Sequence, residues 1–205
     1  VLGGLFQILT VRNYDTEQDG IDYSVNVPGV ESDADLAQRV NTEIQKRVDA
    51  LTAKAQQDWE DYQEAFFATG GTEDEWSQRE MNVDVNYEIK SQTGTTVSFV
   101  VTMTQDMFDA YNEQTYYNLD IAADKDITLA DVLGEDWVNI CNAAVQTYID
   151  QDTTGLFFSA DEGGFTTVDE ATSFYLNEDG SVTLVFPEYT IAAGAAGIVE
   201  IPVAG

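Results

Sequence analysis

Histidine is absent from this 205-residue chain, and cysteine occurs only once. The absence of histidine excludes a histidine-based catalytic triad, the most common general acid or base, and nearly every zinc, copper or non-haem iron site. A single cysteine cannot form a disulfide within the chain, so Cys141 is interpreted as a small buried side chain on a helix rather than as a nucleophile. Most enzyme classes are therefore excluded, and no cofactor or metal is expected.

Basic residues are scarce as well. Eight Lys and Arg stand against 38 Asp and Glu, which gives a formal net charge of −30, and the last base is Lys125. A nucleic-acid binder is not expected, because phosphate contacts need clusters of Lys and Arg. The charge favours solubility, attracts cationic partners and repels anionic membrane surfaces.

Long apolar runs are also missing. No stretch approaches the roughly 18 consecutive apolar residues of a membrane-spanning helix, and no signal peptide is visible. The chain starts at Val1 rather than at Met, so a leader, an anchor or a larger segment is expected to precede it. Attachment to a membrane is expected only through such a segment.

Hydrophobic residues make up 43% of the chain and aromatic residues 11%, enough to bury a core. Alternating apolar residues predict strands, and apolar residues recurring every three or four positions predict one long helix from Ser32 to near Gly70 and a shorter one, interrupted at Gly134. Ser32 with Asp35, and Thr128 with Asp131, have the spacing of helix-capping boxes. The predicted strands cover residues 21–27, 81–89, 95–103, 117–121, 174–176, 182–186 and 198–203, with a less regular one at 6–12.

This order of elements predicts an α+β fold, in which an antiparallel sheet carries one long and one shorter amphipathic helix on one face. The strands over 81–89 and 95–103 are predicted to form a hairpin with its turn at Thr93 and Gly94. No internal linker is visible, so residues 1–205 are expected to form a single domain. Residues 1–13 are interpreted as a first strand or as the remnant of a linker.

Several acidic groups resemble chemical sites. One group is similar to the start of a calcium-binding loop and consists of Asp15, Glu17, Asp19 and Gly20. Glu17 is a poor ligand at the third position of such a loop. Asn26 occupies the twelfth position, where the loop needs a Glu. A polar hairpin turn is therefore the preferred interpretation.

Two acid pairs, Asp161 with Glu162 and Asp169 with Glu170, could serve as a glycosidase pair, since two carboxylates suffice for that chemistry. Both pairs lie in a glycine-rich stretch where hydrated side chains are the default. Catalysis by either pair is therefore the weaker interpretation.

The three tryptophans could stack on sugar rings. Trp59 and Trp137 occupy apolar helix faces and are interpreted as core residues. Trp76 lies in a polar stretch and is predicted to be the exposed one.

Two local patterns resemble a known family. Residues 116–134 combine a strand, an acidic turn at Asp124 and Lys125, and a helix start, through Asn118, Leu119, Ile127, Thr128, Leu129 and Leu133. Near the C-terminus, two strands flank an acidic glycine turn, and a loop then leads to a final strand. That second pattern consists of residues 174–177, Asp179, Gly180, residues 182–186, Pro187, Tyr189, Ile191, Ala192, Gly197, Ile201 and Pro202. Together they resemble the extracytoplasmic domain shared by RsiV-type anti-sigma factors and the N-terminal part of a peptidoglycan deacetylase.

The resemblance covers roughly residues 21–202 and implies a function. In the best understood members, this domain lies outside the membrane and binds lysozyme, which exposes the anti-sigma factor to proteolysis. The loop that enters the lysozyme cleft matches Pro187, Glu188, Tyr189 and Ile191 in this chain. Where the family often has proline and tyrosine after the Ile-Ala pair, this chain has Ala193 and Gly194, which give a smaller loop.

These observations predict an extracytoplasmic, protein-binding sensor domain at the bacterial cell surface that is not an enzyme. Its expected partner is a basic protein such as lysozyme, with cell-wall glycan as a further candidate. The alternative is an accessory wall-associated domain of an exported protein. A third interpretation, from a different class, is a carboxylate-dependent enzyme acting on glycans.

Overall fold

The computed structural model describes residues 9–107 and 111–203, apart from the side chains of residues 9–15, 18 and 111. Within these ranges it contains nine strands and four helices. The strands are β1 (Leu9–Gln18), β2 (Ile21–Val30), β3 (Met81–Gln92), β4 (Thr96–Gln105), β5 (Tyr111–Asp120), β6 (Lys125–Asp126), β7 (Ser173–Leu176), β8 (Val182–Phe186) and β9 (Val199–Val203). The helices are α1 (Asp35–Ala68), α2 (Glu73–Trp76), α3 (Leu129–Leu133) and α4 (Trp137–Asp150).

The α+β class predicted from the sequence is confirmed. One sheet has the order β1-β2-β3-β4-β5-β6, and a second sheet has the order β7-β8-β9. The β1–β2, β5–β6, β7–β8 and β8–β9 pairs are antiparallel, but β2 pairs with β3 in parallel. A parallel pair needs a crossover connection, and the 34-residue helix α1 provides it. The sheet is thus not wholly antiparallel.

The chain divides into two compact units. Unit 1 consists of Val1–Glu88 and Val100–Thr115, and unit 2 consists of Ile89–Phe99 and Tyr116–Gly205. Strands β3, β4 and β5 contribute residues to both. The sequence-based expectation of one domain over residues 1–205 stays a prediction.

In unit 1, the first hairpin turns at Asp19 and Gly20, which both have positive φ angles, of 55° and 89°. A Cβ atom at Gly20 would lie 2.7 Å from the Trp59 ring, whose Nε1 donates a hydrogen bond to the Asp19 carbonyl oxygen at 2.6 Å. The turn therefore needs glycine for both its conformation and its close approach to Trp59. The predicted first strand over residues 6–12 overlaps β1 from Leu9 onward, and its residues 6–8 lie outside the described part of the chain.

Helix α1 follows its predicted apolar spacing, and it begins at Asp35. Its buried residues recur on one face: Leu36, Ala37, Val40, Ile44, Val48, Leu51, Ala55 and Trp59. The predicted capping box with Ser32 is wrong, because the residue that precedes the helix is Ala34 and no side chain caps it. Ser32 Oγ instead accepts a hydrogen bond from the Ala34 backbone nitrogen at 3.1 Å, which forms a turn ahead of the helix.

The prediction that Trp76 is exposed is also wrong. A capping box formed by Thr72 and Glu75 starts α2, and the Trp76 side chain is only 8% exposed. Its ring centroid lies 4.8 Å from that of Trp59 and 5.3 Å from that of Tyr62. Phe66 and Phe67 complete this aromatic cluster at 5.4 and 5.8 Å from Trp76. The short helix turns Trp76 inward, which the polar neighbours of Trp76 in the sequence did not indicate.

In unit 2, α4 packs on β9, and the core lies between the helix and the second sheet. On α4, Cys141 and Val145 are completely buried. On the sheet, Leu184 and Ile201 are only 0–1% exposed. The predicted break in the helix is confirmed at Gly134, which has a φ of 81°. The half-buried Trp137 packs against this core.

Helix α3 starts at the predicted capping box, which is confirmed. The Thr128 hydroxyl accepts a hydrogen bond from the Asp131 backbone nitrogen, and the Asp131 carboxylate accepts one from the Thr128 backbone nitrogen at 2.9 Å. Lys125 donates a hydrogen bond to the same carboxylate at 2.7 Å. The hydrogen bond from Lys125, followed by those from Thr128, lowers the pKa of Asp131 to about 2.

A small polar network joins three strands within unit 2. The buried Ser98 hydroxyl donates a hydrogen bond to Asn118 Oδ1 at 2.6 Å and accepts one from the Leu176 backbone nitrogen at 3.0 Å. Asn118 Nδ2 donates a hydrogen bond to the Phe174 carbonyl oxygen at 2.9 Å. Both buried polar side chains are therefore satisfied, and β7 is held to β4 and β5 by specific bonds.

The aromatic cluster gives a test of unit 1. Replacing Trp76 by Ala should lower the free energy of unfolding by about 3 kcal/mol, because it removes a large ring from among four others and leaves a cavity. Replacing Trp76 by Phe should cost clearly less, since part of the ring contact remains. Chemical denaturation followed by circular dichroism measures both variants. A change within about 0.5 kcal/mol for the Ala variant, as is usual at an exposed position, would contradict the buried placement.

Candidate functional site

The residues predicted to bind a partner lie in the loop that connects β8 and β9, here called the 187–198 loop. The loop is anchored by two buried side chains, Ile191 and Ala192, in the core of unit 2. Backbone hydrogen bonds from Phe158 to Ile191 (3.0 Å) and from Ala193 to Leu156 (2.8 Å) fix it against residues 156–158. Ile191 therefore supports the loop from below, whereas Pro187, Glu188 and Tyr189 are exposed.

A tight turn at residues 187–190 presents Tyr189. The backbone nitrogen and the hydroxyl of Thr190 both donate hydrogen bonds to the Pro187 carbonyl oxygen, at 3.2 and 2.6 Å. Tyr189 occupies the third position of this turn with a φ of 64°, a conformation that normally requires Gly or Asn. A side chain in the left-handed region costs roughly 1–2 kcal/mol. A tyrosine is thus held where the turn alone would favour glycine.

The Tyr189 side chain is 72% exposed, the largest exposed fraction among the large hydrophobic side chains described in the structure. Its ring lies against Gly194, so a Cβ atom at Gly194 would be 2.3 Å from its Cζ and Oη atoms. Gly194 begins a 3-10 turn that ends at Ala196, and backbone hydrogen bonds from Ala196 and Gly197 close this turn at 2.8 and 3.0 Å. The small residues after Ile191 thus form a seat for the tyrosine ring.

Sequence reasoning missed the role of Gly194. It identified Ala193 and Gly194 only as small residues that replace larger ones. The sequence does contain a turn tyrosine followed by a glycine five residues later. Spacing alone does not reveal that the chain folds back on itself there.

One acid of each of the two pairs serves a local turn. Glu162 accepts hydrogen bonds from the Ser159 hydroxyl at 2.8 Å and from its backbone nitrogen at 3.2 Å, and these bonds lower the pKa of Glu162. Asp169 Oδ1 accepts hydrogen bonds from the Ala171 backbone nitrogen and from the Thr172 hydroxyl. All four acids of the two pairs are exposed. None of them is in the desolvated setting that would tune a general acid.

The remaining chemical candidates have structural roles. Asp19 and Gly20 form the β1–β2 turn, in agreement with the polar hairpin interpretation. Within residues 9–107 and 111–203, no group of three or more Cys, Asp or Glu side chains is placed to hold a metal ion. Cys141 is buried, and desolvation raises the pKa of its thiol to about 11, which disfavours the thiolate.

A cleft that sequence reasoning did not anticipate lies elsewhere in unit 2. It has a volume of about 560 Å³ and is lined by the end of β5, the start of α3 and residues 170–174. The aromatic residues Tyr116, Trp137 and Phe174 and the acidic Glu170 are among its lining residues. These residues are far apart in the chain, so only the fold brings them together. It is called the β5–α3 cleft below.

Residues 124–204, which lie within unit 2, match the family model described as "Protein of unknown function (DUF3298)". Two solved structures of DUF3298 family members have a similar fold over 95% of this chain and 88% of their own. The protein from Bacteroides fragilis has a TM-score of 0.61 and 14% identity, and the protein from Pseudomonas aeruginosa a TM-score of 0.51 and 13% identity. No curated protein matches the chain.

The geometry of the turn gives a test of whether Tyr189 has a structural role. Replacing Tyr189 by Gly should leave the free energy of unfolding unchanged or raise it by up to about 1 kcal/mol, because the left-handed conformation no longer carries a penalty. The matched Ala variant keeps the strained backbone and should be less stable than the Gly variant by about 1 kcal/mol. Chemical denaturation measures both. If both variants lose several kcal/mol, the ring is part of the core rather than an exposed group.

Proposed function

We propose that this chain is a protein-binding domain outside the cell membrane, and that it recognises a basic protein through the 187–198 loop. The observation that carries the proposal is Tyr189, an exposed ring on a strained turn and seated on Gly194. Strained conformations persist where the surrounding structure enforces them, and they cluster at functional sites. A rigid tyrosine with few rotatable bonds loses little entropy on binding, so it suits the role of an anchor.

The charge of unit 2 supports a basic partner. Its sequence contains sixteen Asp and Glu but only two bases, Lys90 and Lys125. Lys125 is paired with Asp131, and the Lys90 ammonium lies 4.8 Å from the centroid of the Tyr175 ring. Such a surface accelerates encounter with a cationic protein and repels an anionic one.

Binding rather than catalysis is the better account of the side chains. The chain has no histidine, its cysteine is buried as the thiol, and its two candidate acid pairs are exposed, with one acid of each pair bonded within a turn. We therefore expect purified protein to show no hydrolysis or deacetylation of peptidoglycan.

The resemblance to the ectodomain of RsiV-type anti-sigma factors suggests the partner and the setting. In this proposal, the domain lies at the bacterial cell surface and is membrane-anchored in the full-length protein. Its partner would be lysozyme, a strongly basic protein, and the biological outcome would be release of a sigma factor.

None of the described helices combines the length and the apolarity needed to cross a membrane.

Association kinetics with lysozyme test this proposal. Replacing Tyr189 by Ala should weaken binding by about 2 kcal/mol, roughly thirtyfold, mainly through faster dissociation, because buried aromatic anchors act on the lifetime of a complex. Replacing Tyr189 by Phe keeps the ring and should retain most of the affinity. The association rate of every variant should fall steeply as salt rises, since screening removes long-range attraction.

The control partner is a cytochrome c, which is basic but unrelated in shape. It should show the same salt dependence, weaker binding and no response to the Tyr189 substitutions. If lysozyme and the cytochrome bind alike and neither responds to Tyr189, the interaction is only electrostatic and the recognition site proposed here is wrong.

A further inference from the structure

The β5–α3 cleft has the size of a small-ligand site. Its volume of about 560 Å³ falls within the range of roughly 300–1,000 Å³ typical of ligand pockets. It belongs entirely to unit 2 and does not include the 187–198 loop. The proposed function does not use it.

The charged side chains that line the cleft determine which sign of ligand charge it favours. Its acidic side chains are Asp126 and Glu170, and neither Lys nor Arg lines it. The two lysines of unit 2 are already engaged, Lys125 with Asp131 and Lys90 over the Tyr175 ring. An anionic ligand would meet two carboxylates and no Lys or Arg among the lining residues, so the cleft favours a neutral or a positively charged ligand.

The hydrogen-bonding groups that line the cleft favour a positively charged ligand over a neutral one. The Asn118 amide is used by Ser98 and the Phe174 carbonyl, and the Thr128 hydroxyl is used in the capping box of α3. The Glu170 carboxylate, by contrast, makes no hydrogen bond or ion pair to any side chain or backbone group within the described ranges. An ammonium group needs one carboxylate and aromatic faces, and residues of both kinds line the cleft.

The same unit already shows this type of contact. The Lys90 ammonium lies over the ring of Tyr175, and Tyr175 stacks on Tyr116, which lines the cleft, with their centroids 6.0 Å apart. Trp137 and Phe174 offer further rings within the cleft itself. Of the aromatic side chains, tryptophan provides the most favourable face for a cation.

We propose that the β5–α3 cleft binds an ammonium group on an alkyl stem, with Glu170 as the counter-charge and the rings of Trp137, Tyr116 and Phe174 around the stem. The ammonium group can come from a free amine or from a lysine side chain of a peptide. In this arrangement the stem contacts the rings, and the charge faces the Glu170 carboxylate.

The experiment is a titration of the whole chain with n-butylammonium, followed by backbone and indole N–H resonances in an NMR spectrum. The Trp137 indole and the amides of residues 170–174 should shift in a saturable way. Neutral n-butanol and anionic butyrate, which have stems of similar length, should produce far smaller shifts. A capped peptide with one lysine should shift the same resonances, and the tighter of the two ligands shows whether the cleft prefers a free amine or a lysine side chain.

Substitutions distinguish a specific counter-charge from general acidity. Glu170→Gln should weaken the binding of butylammonium by roughly fivefold, as expected for loss of an exposed ion pair. Glu178→Gln removes an equal charge from the acidic turn between β7 and β8, outside the cleft, and should leave binding unchanged. Both positions are exposed, so neither substitution should prevent folding.

Three results would overturn the proposal. Equal shifts with butanol would show an apolar cleft without charge selection, and equal losses from Glu170→Gln and Glu178→Gln would show attraction to the whole acidic surface. Stronger saturable shifts with N-acetylglucosamine would make the cleft a sugar site. None of these outcomes depends on a basic protein partner, so the proposed function is tested separately.

Discussion

An excess of thirty negative charges constrains every part of this chain, because carboxylates lose too much hydration energy to enter an apolar core unpaired. Among the side chains that the structure describes, no Asp or Glu is buried, and the buried polar ones are Ser98, Gln105, Asn118 and Thr183, all neutral. Many acids instead accept hydrogen bonds at turns and helix starts. The side chains and backbone of nearby Thr and Ser residues lower the pKa of Asp152, Glu162 and Asp179 in this way. The charge thus stabilises local turns and leaves an acidic surface for recognition.

The 187–198 loop depends on the same separation between an apolar interior and a polar exterior. Ile191 and Ala192 enter the core and are tied to residues 156–158, so the turn that carries Tyr189 rests on a fixed base. The exposed ring adds little to folding, and its left-handed backbone opposes folding. A side chain that costs stability and contributes few buried contacts is explained more readily by binding than by packing. Under the proposed function, charge would govern how fast a partner arrives, and Tyr189 would govern how long it stays.

Sequence patterns predicted the elements of the fold where a local rule determines them. The spacing of Val40, Ile44 and Val48 predicted α1, and Thr128 with Asp131 predicted the start of α3. Local rules failed where distant residues decide the outcome. Ser32 has a capping spacing but forms a turn before Ala34, and Trp76 has polar neighbours in sequence but meets an aromatic cluster in space. The seat at Gly194 and the β5–α3 cleft depend on the folded chain, so no periodicity or motif could reveal them.

The most direct measurement of the central claim is the change in backbone amide resonances when the chain is saturated with lysozyme. The account predicts that the largest changes fall on residues 188–197, with Tyr189, Gly194 and Gly197 foremost, because the ring and its seat would be covered together. Smaller changes should be spread over exposed acids that only guide the encounter. The account is contradicted if lysozyme binds and these amides do not change, or if the changes concentrate on helix α1.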